Sequence, residues 1–298
     1  MTQPFDVAFL GNYTKDTIVS AAGTRLVDGG AFNYGAHVAA QMGLKVAAIT
    51  RLAREDWNVV EALTRLGVEV FAEPTAQSTC LRLEYPGTNV DQRVIWVTST
   101  AGTFTPEQVA QVEARTFVLG ASFRGEIGLD VIQALAAKAV PIALDAQGFV
   151  RVVRDRRLDF EDWPEKREAL AYVSMLKTDA VEAASLTGQQ DLRRAASMLA
   201  ELGPREVLIT HRDGLLVLAD GRFYEAGFFP LALVGRSGRG DTCLAAYAMR
   251  RLSASPAGAT VWAAAVTSLK MEAEGPFRRS VPEVEDLIRQ RYTRAVAG

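Results

Sequence analysis

The sequence predicts an α/β fold: a central, mostly parallel sheet flanked by helices, with a small β-sheet lid standing off it. Short apolar runs alternate with segments of helical period over residues 7–71 and again after residue 105. Two pairs of strand-like segments, within about residues 12–29 and 79–98, break that rhythm and are the expected lid. No internal repeat, low-complexity tract or long linker divides the chain, so residues 1–298 are expected to form a single domain.

Taken in order, residues 7–10 are an apolar run closed by Gly11 and read as a buried strand. Strands at 17–20 and 24–27 turn at 21–23. Residues 31–42 carry a helical pattern stopped by Gly43. A strand at 45–50, a helix at 57–66 closed by Gly67 and a strand at 68–71 complete the first β–α–β stretch. Residues 79–85 and 93–98 alternate in character around Pro86-Gly87-Thr88-Asn89, the composition of an antiparallel hairpin. After Thr105-Pro106 come strands at 117–119, 141–144, 172–176 and 206–210, with helices at 129–139, 180–186 and 192–202 among them. A meander over 215–229 and helices opening at Asp241, Pro256 and Pro282 finish the chain.

With 49% hydrophobic and 23% charged residues, the composition is that of an ordinary globular protein. A net charge of −2 supplies no basic field, so neither nucleic acid nor an anionic membrane is an expected partner. Cys80 and Cys243 have no paired spacing and read as packed thiols in a reducing compartment. His37 and His211 lie in no metal-binding pattern, which argues against a zinc site or a Ser-His-Asp hydrolase. The first residues lack the basic and apolar regions of a signal peptide, and no window approaches the ~20 apolar residues of a membrane span. A cytoplasmic location is the expectation.

Chemistry concentrates at residues 235–241, Gly-Arg-Ser-Gly-Arg-Gly-Asp, which run directly into an apolar helix. Glycines ahead of a helix let backbone N–H groups converge on a concavity, and the helix dipole adds partial positive charge. Such a nest suits a phosphate or a developing oxyanion. For Asp241 the spacing leaves two readings open: a cap for a free N–H, or a base that takes a proton from a hydroxyl held over the nest. The glycine spacing reverses a dinucleotide fingerprint, and no Gly-Lys-Ser/Thr follows as a P-loop requires. Residues 144–151, Leu-Asp-Ala-Gln-Gly-Phe-Val-Arg, follow a strand, where open α/β sheets place ligand groups. Asp145 and Gln147 alternate there and both reach hydroxyls if the segment is extended; a capped turn is the alternative. Arg151, Arg154, Arg156 and Arg157 read as a solvated charge run, Arg151 being the one placed to turn inward. Trp57, Trp163, Trp262 and His37 read as packing residues.

Gly238-Arg239-Gly240-Asp241, opening a helix, resembles the Gly-Ala-Gly-Asp of the ribokinase/PfkB kinases, and four further stretches fall in that family's order. Gly11-Asn12-Tyr13-Thr14-Lys15-Asp16 is similar to its first strand, and Gly29-Gly30 with the helix ending at Met42-Gly43 to its first signature. Asp179-Ala180-Val181-Glu182 is similar to its Asn-x-x-Glu element, and Thr210-His211-Arg212-Asp213-Gly214 to its Thr-x-Gly turn. The resemblance implies a ribokinase-like fold and transfer of a phosphoryl group from ATP, with Mg²⁺, to a hydroxyl of a small molecule. It implies Asp241 as base and Gly238, Arg239 and Gly240 as the anion hole. Asp16, Gly30, Asn33, Asp145 and Gln147 would bind substrate, and Thr210, Gly214, Asp179 and Glu182 would flank ATP. Asp179 and Glu182 would orient Mg²⁺ through water.

The departures from the family pattern are Gly235 and Arg236 in place of Asp-Thr, Arg239 in place of alanine, and Asp179 in place of asparagine. Tyr34 falls where the helix asparagine is usual, with Asn33 one residue early. The Asp-x-Gln-Gly-Phe-x-Arg run resembles the inositol kinase branch, with Arg124-Gly125-Glu126-Ile127 in support, so a cyclitol or sugar is the first expectation. A nucleoside, served by an aromatic slot of Phe32, Tyr34, Phe123 and Phe149, is one alternative; a non-catalytic relative is the other. The open edge of a lid leaves monomer and homodimer both admissible.

Overall fold

The computed structural model describes residues 3–21, 23–87 and 93–292. Its strands begin with β1 (Val7–Leu10), β2 (Thr14–Ser20), β3 (Gly23–Gly29), β4 (Val46–Ala53) and β5 (Glu69–Thr75). Next come β6 (Thr79–Glu84), β7 (Val94–Ser99), β8 (Phe117–Gly120), β9 (Ile142–Asp145) and β10 (Arg151–Arg154). The remainder are β11 (Arg157–Phe160), β12 (Met175–Asp179), β13 (Glu206–Thr210), β14 (Gly214–Ala219) and β15 (Arg222–Gly227).

Nine of these form one sheet in the order β15-β14-β13-β12-β9-β8-β1-β4-β5. All neighbours from β13 to β5 run parallel, and β14 and β15 add an antiparallel edge. β1, β8, β9, β13 and β14 are buried throughout, as strands covered on both faces must be. Alternation along β1 divides the core: Val7 and Phe9 pack with the helices Ala31–Gln41, Arg239–Arg250 and Pro256–Met271. Ala8 and Leu10 pack with Leu129–Ala136, Ala180–Thr187 and Leu192–Ala200 on the other face. The chain runs from β1 outward through β4 to β5, then returns to β8 on the opposite side of β1 and proceeds outward again. That reversal opens a crevice at the carboxyl ends of β1 and β8, the usual ligand position in such sheets.

The expected second β layer is present, separate from the main sheet, and larger than anticipated: six strands in the order β10-β11-β7-β6-β2-β3. The hairpin of β6 and β7 is antiparallel as expected, though Thr88 and Asn89 of its turn lie outside the described residues. The arginine run is exposed at Arg154, Arg156 and Arg157 and turns inward at Arg151, as expected. It forms the hairpin β10–β11, whose turn places Asp155 and Arg156 at φ 47° and 68°, the two left-handed residues of a type I′ turn. Neither residue is glycine or asparagine, so the usual turn signal is missing from the sequence. The strand expected at 172–176 starts at Met175, because the short helix Lys166–Leu170 and its closing turn occupy the preceding residues. No helix among the described residues is long and apolar enough to cross a membrane.

Candidate active site

Parallel register brings the carboxyl ends of β13, β12, β9 and β8 side by side, so Thr210 pairs with Asp179, Lys177 with Asp145, and Asp145 with Gly120. Over this row stands the N-terminus of Arg239–Arg250. Gly238, at φ 73°, turns the chain into that helix, and a Cβ there would fall 2.3 Å from the Tyr34 ring. A Cβ at Gly240 would meet the Lys177 ammonium at 2.5 Å. Position 238 therefore requires glycine, and any side chain at 240 would have to displace the Lys177 ammonium from its place. The N–H of Arg239 is directed to Arg236 O at 3.2 Å, and the helix's own ladder begins with Thr242 N–H to Gly238 O. The amides of Gly240 and Asp241 precede that ladder, at the expected nest. Arg239's guanidinium lies 6.0 Å from the centroid of Phe228.

Asp241 is not the cap of this helix; Gly238 is, with no side-chain capping bond. Burial, then the charge of Asp145, pushes the Asp241 carboxyl up to about 6, while Lys177 and Arg151 oppose the shift. Lys177, which the slipped strand boundary hid, is the centre of a buried charge cluster. Its ammonium is 2.9 Å from Asp145 Oδ2 and 4.0 Å from Glu182 Oε2. Burial alone would lower its pKa, but Asp145, Glu182 and Asp179 outweigh burial and hold it above the ordinary value. A lone lysine in the apolar strand ending Leu-Lys-Thr-Asp was the sequence signal for it.

Asp179 and Glu182 form a capping box: Asp179 Oδ1 accepts from Glu182 N–H at 2.8 Å and Glu182 Oε2 from Asp179 N–H at 2.7 Å. Glu182 Oε1 is buried with no hydrogen-bond partner, and burial raises the group's pKa. Among the described residues no cluster of three or more His, Cys, Asp or Glu side chains could hold a metal directly. Gln147 does not alternate with Asp145; it opens the helical turn Gln147–Val150, and its N–H donates to Asp145 Oδ1 at 3.0 Å. The capped-turn alternative holds there. Arg151 is 7% exposed, and its Nε has no partner. Burial and then Arg93 lower its pKa, while Glu182, Asp179 and Asp145 raise it.

Across the crevice, Asp16 on β2 is 9% exposed, and burial raises it to about 6 although the Thr14 hydroxyl and the charges of Arg93 and Arg151 oppose the rise. Its Oδ1 has no partner. Gly30, at φ 97°, would place a Cβ 2.4 Å from Asn12 O, so only glycine lets the chain pass so close to the first strand's end. Asn33 is buried, its amide donating weakly to Asp28 O at 3.4 Å. Asn12 donates to Glu126 Oε1 at 2.8 Å, and Thr79 Oγ1 to the same oxygen at 3.1 Å, so a buried carboxylate ties the second sheet to the body. At the far side of the row, Thr210 Oγ1 donates to Thr178 O at 3.4 Å, and Gly214 opens β14, where a Cβ would strike Ala226 O. The four aromatics do not converge on a slot. Phe32 is in the core, Phe149 stacks on Trp163 at 4.3 Å, Tyr34 backs Gly238, and Phe123 belongs to the cluster under the second sheet.

Residues 8–281 match the family model for pfkB family carbohydrate kinases. No curated protein matches the chain. Among solved structures, a sulfate complex of a pyrophosphate-dependent kinase in the ribokinase family is 36% identical, with a TM-score of 0.88 over 94% of this chain and 99% of its own. A pyrophosphate-dependent kinase of that family complexed with a pyrophosphate analog and myo-inositol is 35% identical, with a TM-score of 0.87 and the same coverage. Arabidopsis thaliana ribokinase complexed with ribose and ATP, 20% identical over 96% of this chain and 99% of its own, shares the fold at a TM-score of 0.77. With the family match spanning nearly the whole chain and the fold shared with these kinases, the chain belongs to the pfkB family and is a carbohydrate kinase.

Proposed function

We propose that this kinase phosphorylates a ring hydroxyl of a cyclitol, myo-inositol first, with pyrophosphate as its donor ahead of ATP. The observation that carries the reading is a buried cluster at the strand ends, Asp145, Lys177, Glu182 and Arg151, with the half-buried Asp241 against it and Asp16 facing it. With its pKa raised to about 6, Asp241 is ionised at neutral pH and still basic enough to accept a proton from a bound hydroxyl. The hydroxyl oxygen bonds to phosphorus, the bridging P–O bond breaks, and the leaving phosphate or ADP carries away the electron pair. The amides of Gly240 and Asp241 and the Lys177 and Arg151 cations face the negative charge on the transferring group. Asp16 and Gly30 hold the acceptor against β2, and Asp145, fixed by Lys177, orients the site beneath it.

The donor follows from what each molecule offers. A nucleotide carries an apolar base to anchor it, whereas pyrophosphate presents only oxygens and needs N–H groups and cations. Arg236 and Arg239, standing where the family has small or acidic residues, add two cations to the loop, and the pyrophosphate-dependent relatives support the same donor. ATP is kept as the second reading because Thr210 borders Asp179, and the resemblance places a nucleotide beside Thr210 and Gly214. Mg²⁺ fits as an ion held by the donor's oxygens and water: the partnerless Glu182 Oε1 can accept from a metal-bound water, and the ion would neutralise phosphate charge. Turnover of inositols, ketohexoses, pentoses and nucleosides, each with pyrophosphate or ATP and Mg²⁺, tests the proposal by phosphorus NMR. A cyclitol with pyrophosphate should give the highest rate. Preference for a nucleoside, or turnover with ATP alone, would replace the acceptor or the donor respectively.

A further inference from the structure

Lys270 lies in the last turn of Pro256–Met271 and is 2% exposed, yet it belongs to neither the strand-end cluster nor the acceptor side. Its ammonium donates to Gly235 O at 2.9 Å and stands 5.5 Å from the centroid of the Tyr34 ring. Tyr34 is the same ring that bars any side chain at Gly238. The N–H groups of Val234 and Gly235 both donate to Met271 O, at 2.9 and 3.0 Å, and a Cβ at Gly235 would fall 2.1 Å from Ala273 O. The loop entering the anion nest is thus clamped to one helix end and one aromatic face. A buried ammonium is unfavourable unless partnered, and methionine would fill this space without that penalty. Burial lowers the lysine's pKa to about 8, with Glu274 and Asp241 opposing, so it is charged at neutral pH.

We infer that Lys270 is a positioning residue for phosphoryl transfer: a tethered cation behind the anion nest that fixes the orientation of the loop's peptide planes. A peptide unit is planar and trans, so a carbonyl drawn toward Lys270 sends the following N–H the opposite way. Holding Gly235 O at the back of the loop sets the direction from which residues 236–240 approach the nest, and the cation adds positive field behind Asp241. Lys270 reaches no substrate-facing group, so its effect falls on kcat and not on acceptor binding.

This inference rests on the kinase reading of the same site, and its test keeps the two apart. Lys270→Met should fold with a thermal midpoint near that of the wild type, keep KM for the cyclitol within about twofold, and lose kcat by ~10–100-fold, less than the ~10²–10³ for a donor in direct contact with the reacting group because the lysine acts through the loop. Lys270→Ala should regain part of that rate with ammonium or methylammonium, in a saturable manner, and none with tetramethylammonium, which is too large for the vacated space. A methionine variant with wild-type kcat, or an alanine variant that no small amine restores, overturns the inference. Should the alanine variant fail to fold, the methionine variant's kcat decides alone. If the wild type transfers from neither donor, the kinase reading falls, and calorimetry with inorganic pyrophosphate then decides: weaker binding to Lys270→Met supports the clamp, and equal binding removes it.

Discussion

At Asp241 the demands of stability and of chemistry oppose each other. Burial raises its carboxyl to about 6, so the native state binds its proton more tightly than the unfolded chain does. The sign follows: wild-type stability declines as pH climbs through the window from about 4 to 6, as the buried group is forced to ionise. Asp241→Asn should therefore lower turnover by ~10²–10⁴ and yet raise stability at pH 7 by on the order of 1–3 kcal/mol. Thermal melts of both forms should diverge as pH rises from 4 and run parallel above about 6; an asparagine variant less stable at pH 7 would contradict this. The wild type's kcat/KM should fall as pH drops through about 6. Asp241 and Asp145 were legible in the sequence because one stands beside glycines and the other at a strand's end, and Asp16 through the resemblance of residues 11–16 to the family's first strand. Lys177 was not, since a strand boundary displaced by three residues put it outside the strand, and burial of an isolated charge shows only once its partners are assembled around it. Arg151 was read as the one member of its run placed to turn inward, but the carboxylates whose charge it meets, Glu182, Asp179 and Asp145, could not be read from its own segment.

The β10–β11 hairpin is the element that carries Arg151 to the cluster, and it does so with a turn that strains two ordinary residues. Left-handed backbone is disfavoured by about 1 kcal/mol for a residue with a Cβ. Arg156→Gly, at φ 68°, should relieve that strain and raise stability by about 0.5–1 kcal/mol without loss of activity. A melting temperature that falls would show that Arg156 is held by contacts worth more than its strain. Arg151→Lys is the complementary change: a lysine keeps the charge and loses the planar fork, so turnover should drop ~10-fold or more. An unchanged rate would mean that the site uses only the charge. Strands and helices elsewhere were readable from periodicity, and the ends of the first two helices from the glycines that close them, Gly43 and Gly67, both at positive φ. The hairpin was not, because a type I′ turn made from Asp-Arg carries none of the glycine or asparagine that marks such turns.

On the scale of the molecule, Glu126 collects several of the polar contacts through which the two sheets meet. It accepts from Asn12 on the body side, from Thr79 in the second sheet, and from Ser122 N–H at 2.6 Å. Glu126→Ala would leave Asn12 and Thr79 buried with donors unmatched, and should cost about 2–4 kcal/mol. Hydrogen exchange should then speed up in β2, β3, β6 and β7 before the main sheet; uniform acceleration would show the two sheets to be one cooperative unit. Alternation of strand and helix made the main sheet legible, but periodicity identifies no neighbours, so the reversal of strand order about β1 came only with the structure. One consequence of the two-sheet plan is evolutionary. In the proposed reaction, Asp16 belongs to the second sheet while Asp241 belongs to the body, and only Gly11, Asn12 and Tyr13 join β1 to β2. The hydroxyl that meets the base is therefore chosen by one half of the protein and activated by the other. Mutations confined to β2, β3, β6 and β7 can shift the enzyme to a new ring position or a new polyol while the phosphoryl chemistry passes unaltered from ancestor to descendant.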